Sequence, residues 1–530
     1  MSYYRSYGTI RRRKKNYKPL FLALVVAAVL IGGFVAFNKH KPTAEEQVAN
    51  NLKFDSSVTT SEQTLLTDSI NSLTMPLNKS VEIRAATNTE ILEGQKAISA
   101  YLPVTNFYSA IQKISKSELT NSKLYFLSST NEQVRVKIVE FIQTDPTNIV
   151  LINNLTSELP DDAVAIIPSS ELGYQQKLLM LDENYYLDSF NKGAFFRTAN
   201  IVGDGAVQLN DLKVDGISSK DEIFKVNMSG VTALTRVMLR KLNSVNDPLH
   251  FSKDIGAFLA DADITHVSNE VSFKPGCTYH NALFCSDPRF IETLKASGVD
   301  LVELTGNHNN DLGSEFNTQT INQYRELGWS TVGGGLNTAD AAKPYIADQK
   351  GSKVGFLAYN YPDSPNGGAI AGSNKAGANS FNFDTIKSDI DSLKQQSKFV
   401  IVNVQYWECY SYPDGYIEYP VCDKPIGEQE SVFKRLVDLG ADMVIGSSAH
   451  QPQTYEFYND KPIYYGLGNL YFDQTSWPGT ERGIILTHYF NQGSLIQTKL
   501  TPTVYDANLQ TRIMTNQETD YILGRLQAAR

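Results

Sequence analysis

The feature that most constrains the fold is a series of apolar, strand-like runs between residues 223 and 505, each followed by polar residues. These runs are FKVNM, ADITHVSNE, VDLVELT, KFVIVNVQ and ADMVIGS, and helix-like stretches separate them. Buried strands that alternate with helices are typical of an α/β fold. In open α/β sheets, functional residues lie beyond the carboxyl ends of the strands. The sequence therefore predicts an α/β domain at 223–505 whose site lies at one edge of its sheets.

The amino terminus combines a basic tail with an apolar segment. Residues 1–18 are rich in Lys and Arg and contain no Asp or Glu, and Leu20–Phe37 is apolar and uncharged. Such a segment is long enough to cross a hydrocarbon core, and the basic residues before it favour a cytoplasmic N-terminus. A cleaved signal peptide is the alternative, but no small-x-small cleavage site follows the apolar run. We therefore predict a single-pass transmembrane signal anchor at 19–38 in the plasma membrane, with the body of the protein extracellular.

The net charge of −9 conceals an asymmetry, because the basic cytoplasmic tail at 1–18 is followed by a body that is more acidic than the whole chain. An acidic surface repels the phosphate backbone of nucleic acids. No nucleic-acid partner is therefore expected.

Composition divides the rest of the chain into three further segments. Residues 39–79 are polar and predict a stalk with one short helix. Residues 80–222 alternate strand-like and helix-like runs and predict a smaller α/β domain, to which no motif assigns a role. Residues 506–530 contain Thr515 and Glu518 in a capping-box pattern and predict a C-terminal helix.

The four cysteines lie in two loops rich in Pro, Gly and Tyr: Cys277 with Cys285, and Cys409 with Cys422. Outside the cytoplasm such pairs form disulfides. Neither pair has the close spacing of a zinc knuckle, which is the competing interpretation. Two local disulfides are therefore predicted, although four cysteines allow three connectivities.

A Gly-Asn-His turn, Gly306–His308, follows the run VDLVELT. It resembles the turn by which binuclear metallophosphatases present a metal-binding Asn beside a proton-donating His. Together with five other motifs within residues 226–475, it resembles, in the same order, the capsule-synthesis CapA family, the poly-γ-glutamate capsule biosynthesis proteins. The six motifs are Gly230–Arg236, Ala262–Glu270, Gly306–Gly313, Gln405–Trp407, Gly440–His450 and Pro462–Asp473.

The resemblance implies a metallophosphatase-like fold, a layered α/β sandwich. It also implies a membrane-anchored, extracytoplasmic protein involved in the biosynthesis or anchoring of a capsule or another anionic envelope polymer similar to poly-γ-glutamate. Its partners would be that polymer or the machinery that makes it. Two alternatives stay open: a single-metal phosphoester hydrolase of the envelope, and an ectodomain that binds a solute or polymer.

Three positions that supply metal ligands in the CapA family carry other residues here. Val231 stands where the family has a metal-bridging Asp, and Gln405 and Ser448 stand where it has His. Two divalent cations about 3.5–4 Å apart need anionic or imidazole ligands on both sides to offset their repulsion. We therefore expect no two-metal site, and whether the protein is an enzyme stays open.

The remaining groups suit one divalent metal, zinc or manganese, or none. Period-two alternation puts His266 and Glu270 on one face of a strand, from which they could join Asn307 and His450 around a single cation. A hydrogen-bonded network of the same groups without any metal is the alternative.

In the hydrolase interpretation, His308 would act as the general acid and Arg236 would bind a phosphate or carboxylate group of the substrate. Arg236 could equally pair with Asp263 or Glu270. Other polar residues in or beside the six motifs are assigned to substrate binding: Asn269, Asp311, Gln405, Glu408 and Asn469.

Overall fold

The computed structural model describes residues 43–73, 77–209, 212, 220–278, 283–361, 368–406, 428–474 and 479–529. The predicted signal anchor at 19–38, together with Glu408, Cys409 and Cys422, lies outside the described residues. In the part of the chain that is described, no helix is long and apolar enough to cross a membrane. By its contacts the chain divides into two compact units: one includes residues up to Arg84 with Ile201–Leu212, and the other includes Ala85–Asn200 with the residues from Lys213 onward.

Within the first unit, the described residues 43–73 form two helices and a short strand, where the sequence predicted a stalk with one short helix. They are α1 (Ala44–Asn51), β1 (Leu52–Phe54) and α2 (Thr60–Asn71), and β1 pairs in parallel with the start of β2 (Val81–Glu90). A capping box formed by Thr59 and Glu62 begins α2, and Leu66 and Ile70 on this helix are buried. These apolar residues are thinly spread through polar sequence, so composition alone did not reveal the second helix.

Residues 85–200 mix helices and strands, which confirms the α/β composition predicted for this segment. The elements are β3 (Lys96–Asn106), β4 (Lys113–Ile114), α3 (Lys116–Leu119), β5 (Leu124–Leu127), α4 (Glu132–Ile142), β6 (Ile149–Ile152), α5 (Leu155–Glu158), β7 (Val164–Pro168), β8 (Gln176–Leu178), β9 (Met180–Leu181), α6 (Tyr186–Ser189) and β10 (Lys192–Val202). The main sheet has the order β10-β3-β7-β5-β6, with β8 also paired to β3. Helix α4 packs Val134, Ile138 and Ile142 against Phe126 and Ile166 of this sheet.

Residues from 220 to 529 contain two larger sheets. The first sheet has the order β14-β13-β12-β11-β24-β25-β26, with β23 also paired to β11, and the second has the order β16-β17-β19-β20-β22-β21. Strands of the first sheet are β11 (Ile223–Ala233), β12 (Ile264–Asn269), β13 (Leu301–Glu303), β14 (Ser330–Val332), β23 (Asn469–Phe472), β24 (Arg482–Asn491), β25 (Ser494–Tyr505) and β26 (Thr511–Ile513). Strands of the second sheet are β16 (Tyr345–Gln349), β17 (Ser352–Asn360), β19 (Phe399–Gln405), β20 (Met443–Ser447), β21 (Tyr455–Tyr458) and β22 (Lys461–Tyr464). Two short strands, β15 (Gly334–Gly335) and β18 (Gly377–Ala378), pair with each other.

The two sheets pack on each other, and helices cover their outer faces. The helices of this region are α7 (Arg236–Val245), α8 (Gly256–Leu259), α9 (Ile291–Ala296), α10 (Ser314–Glu326), α11 (Thr338–Ala341), α12 (Phe383–Lys394), α13 (Gln429–Asp438) and α14 (Asn516–Ala528). The last of them, α14, packs Ile522, Leu523 and Leu526 into the core that the two sheets share. Val226 and Met228 of the first sheet share one apolar core with Phe356 and Ile401 of the second. Helices α7, α9 and α10 pack on the other face of the first sheet, and α12 and α13 on that of the second. The mixed α/β architecture is therefore confirmed, with its layers in the order helix, sheet, sheet, helix.

Local capping signals were read correctly from the sequence. Asp287 caps a short turn, Pro288–Phe290, that leads into α9, and Pro288 is the first residue of that turn. The capping box of Thr515 and Glu518 begins α14, which confirms the predicted C-terminal helix.

The strands that carry the predicted site residues run parallel within each sheet. This holds for β11, β12 and β13 in the first sheet and for β17, β19 and β20 in the second. Their carboxyl ends therefore lie at one edge of each sheet. Glu270 directly follows β12, Gln405 ends β19, and a hydrogen bond of 3.0 Å joins their side chains, so the two edges meet.

Asp188 links residues 85–200 to the two larger sheets. Its carboxylate accepts hydrogen bonds from Lys225 and Lys499, each at 3.2 Å, and from the Tyr489 hydroxyl at 2.7 Å. Burial alone would raise the pKa of Asp188, but Lys499 and Lys225 outweigh it and lower the pKa. The two segments that composition distinguishes are therefore in direct ionic contact.

Candidate functional site

Four polar side chains from both sheets meet at this edge. Gln405 donates from Nε2 to Glu270 Oε1 at 3.0 Å and to Asn307 Oδ1 at 3.3 Å. Its Oε1 accepts a hydrogen bond from the hydroxyl of Ser447, the last residue of β20, at 3.1 Å. All four residues are buried. Glu270 and Asn307, which the motifs predicted as neighbours, are therefore joined through one amide group.

His450 approaches the second oxygen of the same carboxylate. Asn469 Nδ2 donates to the carbonyl oxygens of His450 and Thr480 at 3.1 and 2.9 Å, so the amide oxygen must face the ring. That oxygen accepts a hydrogen bond of 2.9 Å from His450 Nδ1. With Nδ1 carrying a proton, Nε2 is the atom that lies towards Glu270, 3.8 Å from Oε2. Asn469 therefore determines which ring nitrogen His450 presents to the carboxylate.

A second buried carboxylate, Glu303, lies at the end of β13. His266 Nε2 is 3.2 Å from its Oε2, and Asn403 Nδ2 donates to the same oxygen at 2.8 Å. The hydroxyl of Thr305 donates to Oε1, and that of Ser447 lies 3.3 Å from it. Burial alone would raise the pKa of Glu303, but the hydrogen bonds and the charge of His266 outweigh burial and lower it. Ser447 connects this cluster to Gln405.

The structure separates His266 from the other predicted metal ligands. Glu270, Asn307 and His450 lie around one site, whereas His266 contacts Glu303. His266 and Glu270 do share a strand face, but four residues along a strand extend about 13 Å. Their side chains therefore end at different clusters, which periodicity alone did not show.

His308 is held by a neighbouring carboxylate and an aromatic ring. Its Nδ1 lies 2.8 Å from Asp311 Oδ2, and the Phe284 ring centroid lies 4.3 Å from the imidazole. The backbone N–H of Phe284 donates to the same Asp311 oxygen at 2.9 Å. Asp311, which the sequence assigned to substrate binding, thus orients His308. The His308 side chain is 12% exposed, so it reaches the surface of the site.

Arg236 pairs with a partner that the sequence analysis did not name. Its Nε lies 3.0 Å from Asp473 Oδ1, whereas Asp263 pairs with Lys350 at 2.8 Å and Glu270 bonds to Gln405. Neither of the two carboxylates considered from the sequence is therefore its partner.

Asp473 also supports the first turn of α7. Its Oδ2 accepts hydrogen bonds from the backbone N–H groups of Val237 and Met238. The arginine guanidinium lies 4.5 Å from the Phe284 ring and 4.9 Å from the Phe472 ring. Burial raises the pKa of Asp473 to about 6, against the opposing effect of the arginine and the two amides. This carboxylate is ionised at neutral pH and balances an otherwise enclosed cation.

Two of the predicted substrate-binding residues hold local structure. Asn269 donates to the carbonyl of Val271 at 2.8 Å, and Asn469 holds the loop of His450 and Thr480 as described above. Gln405 belongs to the central network. Glu408 lies outside the described residues.

The predicted disulfide between Cys277 and Cys285 is present, and it closes a loop with a sequence separation of 8. We expect the double change Cys277→Ser and Cys285→Ser to lower the free energy of unfolding by about 2–3 kcal/mol, because the open loop gains conformational entropy in the unfolded chain. The measurement is the urea midpoint under non-oxidising and non-reducing conditions. Cys277→Ser alone should cause the same loss, since either change breaks the same bond. An unchanged midpoint would contradict the expectation.

Sequence reasoning missed four residues that organise the site: Glu303, Asn403, Ser447 and Asp473. A signal was present for two of them. Glu303 interrupts the apolar run VDLVELT, and Asn403 interrupts KFVIVNVQ. Polar residues inside buried strands need partners, so two such interruptions in neighbouring sheets indicate a contact. Ser447 and Asp473 carried no comparable signal.

The donor set does not fit a two-metal centre. Val231 packs in an apolar cluster, Ser448 offers only a hydroxyl, and the amide of Gln405 donates to the atoms that a metal would use. Among the described residues, no group of three or more His, Cys, Asp or Glu is arranged to hold a metal ion. Two donors that suit one cation remain, Glu270 Oε2 and His450 Nε2, and the former accepts no hydrogen bond from the described residues.

Comparison with known proteins places these residues in a family. Residues 225–474 match the bacterial capsule synthesis protein family PGA_cap. The chain is 29% identical over 211 residues to the capsule biosynthesis protein CapA of Bacillus anthracis, covering 39% of this chain and 48% of the relative. It is 24% identical over 212 residues to the PGA biosynthesis protein CapA of Bacillus subtilis (strain 168), covering 40% of this chain and 52% of the relative.

The chain thus spans about half the length of the curated relatives it matches. A crystal structure of a 5′-nucleotidase precursor from Thermus thermophilus superposes with a TM-score of 0.33 at 12% identity, covering 58% of each chain. Residues 225–474, which contain the site around Glu270, Asn307 and His450, match the bacterial capsule synthesis protein family, in agreement with the CapA family that the motifs resemble.

Proposed function

We propose that this protein takes part in the biosynthesis or anchoring of a capsule or another anionic envelope polymer similar to poly-γ-glutamate. The observation that carries the proposal is the family match over residues 225–474, within which Glu270, Asn307 and Gln405 meet at the carboxyl ends of the strands. Two relatives with this region are named for capsule and PGA biosynthesis. The polymer itself, or the machinery that makes it, is the expected partner.

The proposed place of action is the outer surface of the plasma membrane. The apolar segment Leu20–Phe37 follows a basic tail, which favours a single-pass anchor with a cytoplasmic N-terminus. The disulfide between Cys277 and Cys285 supports an oxidising environment for the body of the protein. Protease added to intact, wall-stripped cells should degrade the body and leave only a short amino-terminal fragment. A body protected from protease would contradict this placement.

The functional test is a gene deletion followed by complementation. Deletion should lower the amount of cell-bound anionic polymer, and the wild-type gene should restore it. Asn307→Ala should restore less than the wild type, because it removes an acceptor from the central network. Asp348→Ala, which changes an exposed carboxylate outside the six motifs, is the matched control and should restore fully. Unchanged polymer after deletion would contradict the proposed role.

A second candidate function is a single-metal phosphoester hydrolase. It is favoured by one observation: Glu270 Oε2 and His450 Nε2 lie 3.8 Å apart with their acceptor atoms towards each other. A zinc or manganese ion bound there would supply an activated water. His308, oriented by Asp311, is the group placed to transfer a proton to a leaving group.

Metal content decides between the two candidates. The full chain is purified without chelator or affinity metal, and its metal is measured by elemental mass spectrometry. About one equivalent of zinc or manganese, lost in His450→Ala, would support the hydrolase and justify a search for phosphoester substrates. Less than about a tenth of an equivalent after incubation with metal would exclude it and leave the polymer role.

A further inference from the structure

Gln405 lies at the centre of the site. Besides standing where the CapA family has a metal-binding His, it contacts two atoms that could themselves bind a metal. Its Nε2 lies 3.0 Å from Glu270 Oε1 and 3.3 Å from Asn307 Oδ1. A carboxylate and an amide oxygen are the kinds of atom that bind a divalent cation. Here both accept hydrogen bonds from one NH₂ group. The two protons of that group occupy the space between the acceptors.

The orientation of this amide follows from its neighbours. If Oε1 faced Glu270 and Asn307, three acceptor atoms would face one another without a proton between them, which is costly in a buried site. With Nε2 facing them, Oε1 instead accepts from the Ser447 hydroxyl at 3.1 Å. All the polar atoms of Gln405 then have complementary partners. The amide orientation is thus determined chemically.

The cluster around Glu303 fixes the position of the Gln405 side chain. Ser447 Oγ lies 3.3 Å from Glu303 Oε1, and Glu303 is held in turn by Asn403 at 2.8 Å and by His266 at 3.2 Å. Buried side chains fixed at both ends have little freedom to leave. Gln405 is therefore positioned by a chain of contacts that reaches from the second sheet into the first.

We infer that the side-chain amide of Gln405 takes the place of a cation, bridging Glu270 Oε1 and Asn307 Oδ1 with two N–H donors instead of a metal. A cation that coordinated both atoms would have to displace Nε2, which breaks both hydrogen bonds and leaves a buried amide without acceptors. The inference is independent of which polymer the protein serves. The amide contacts only Oε1 of Glu270. The other carboxylate oxygen, Oε2, faces His450 and is not part of the bridge between Glu270 and Asn307.

The test is to remove the donor and to measure whether cation binding increases. Gln405→Glu keeps the length of the side chain and places a second carboxylate beside Glu270. Two adjacent carboxylates cannot both ionise unless a cation lies between them. Gln405→Ala removes the NH₂ group without adding charge. Each full-length variant and the wild type are dialysed against Mn²⁺ or Zn²⁺, bound metal is measured by elemental mass spectrometry, and thermal unfolding is followed with Mn²⁺ and with chelator.

Both variants are expected to bind more metal per chain than the wild type, and Gln405→Glu should gain the most. Mn²⁺ at about 100 times its dissociation constant should raise the unfolding temperature of Gln405→Glu by several degrees relative to chelator, on the order of 3–6 °C, and that of the wild type by less. Gln429→Glu is the matched control: Gln429 is equally buried, but its Nε2 donates to Gln453 Oε1 and to the Tyr465 carbonyl, with no carboxylate among these two acceptors. It should gain no metal.

Two results would overturn the inference. If both variants bind the same amount of metal as the wild type, the amide is not what keeps a cation out. If Gln405→Ala binds less than the wild type, Gln405 is itself a ligand. Should Gln405→Glu fail to fold in chelator, Gln405→Ala decides the question, because it introduces no charge. Polymer production is not part of this measurement, so its outcome is separate from that of the proposed function.

Discussion

Replacement of Glu303 by alanine is expected to lower the free energy of unfolding by about 3–5 kcal/mol. Glu303 is 1% exposed and accepts from the side chains of Asn403 and Thr305, with His266 at 3.2 Å and Ser447 at 3.3 Å. Without the carboxylate these groups stay buried and lose their common acceptor, and the imidazole loses the oxygen that lies 3.2 Å from its Nε2. The loss is measured as the shift in the urea midpoint of the purified chain, with the dependence of the unfolding free energy on urea concentration unchanged.

Two further variants provide comparisons for the loss of stability expected in Glu303→Ala. Glu303→Gln keeps the shape and one acceptor oxygen, so it should cost less than alanine, about 1–3 kcal/mol. Glu292→Ala is the control, because Glu292 is a 49%-exposed carboxylate paired with Lys295. Exposed ion pairs contribute little, and this change should stay within about 0.5 kcal/mol. Equal losses for Glu303→Ala and the control would show that the buried cluster does not stabilise the fold.

The same carboxylate predicts a pH dependence. Burial opposes ionisation of Glu303, but its hydrogen bonds and His266 lower its pKa in the folded protein relative to the unfolded chain. A lowered folded pKa means that the stabilisation is present above the unfolded pKa, about 4.3 for Glu, and is lost as the pH falls through the folded value. The difference in stability between wild type and Glu303→Gln should therefore be constant near neutral pH and shrink below about pH 4. A difference that widens on acidification would contradict the sign.

Asp473→Ala is the second change with a large expected effect, again about 3–5 kcal/mol. It leaves the Arg236 guanidinium enclosed by Phe284 and Phe472 without a counter-charge. It also removes the acceptor of the Val237 backbone N–H in the first turn of α7. The Arg236 side chain is 19% exposed, so water compensates only in part for the lost carboxylate. Thermal or urea unfolding of the purified variant measures the loss.

A double change separates the charge from the hydrogen bonds. Arg236→Met combined with Asp473→Asn removes both charges, keeps an acceptor for the amides of α7, and retains an apolar side chain between the two rings. Replacing both members of a buried ion pair with groups of similar size is often close to neutral. The double variant should therefore be more stable than Asp473→Ala. Asp391→Ala, at a 58%-exposed carboxylate paired with Lys387, is the control for loss of an ordinary surface pair. A double variant no more stable than Asp473→Ala would contradict the role given to the unpaired arginine.

Much of the site could be assembled from motifs alone. The motifs placed Glu270, Asn307 and His450 at strand ends, and the parallel order of the strands brings these ends together. The same reasoning failed for His266, because alternation gives the face of a strand but not the position along it at which a side chain meets its partner. It also left out Asp473, whose importance depends on a helix that begins 237 positions earlier in the chain than its carboxylate.

The sequence by itself determined the local features of this protein. Capping boxes at Thr515 and Glu518, the Asp287–Pro288 helix start and the Cys277–Cys285 disulfide depend on residues close together in the chain, so their patterns are complete in the sequence. Tertiary structure alone decided the partners across the sheets. Gln405 meets Glu270, and Arg236 meets Asp473, because strand order and the packing of two sheets bring distant residues to one edge. Periodicity encodes which face a side chain occupies, and it does not encode which distant residue it meets there.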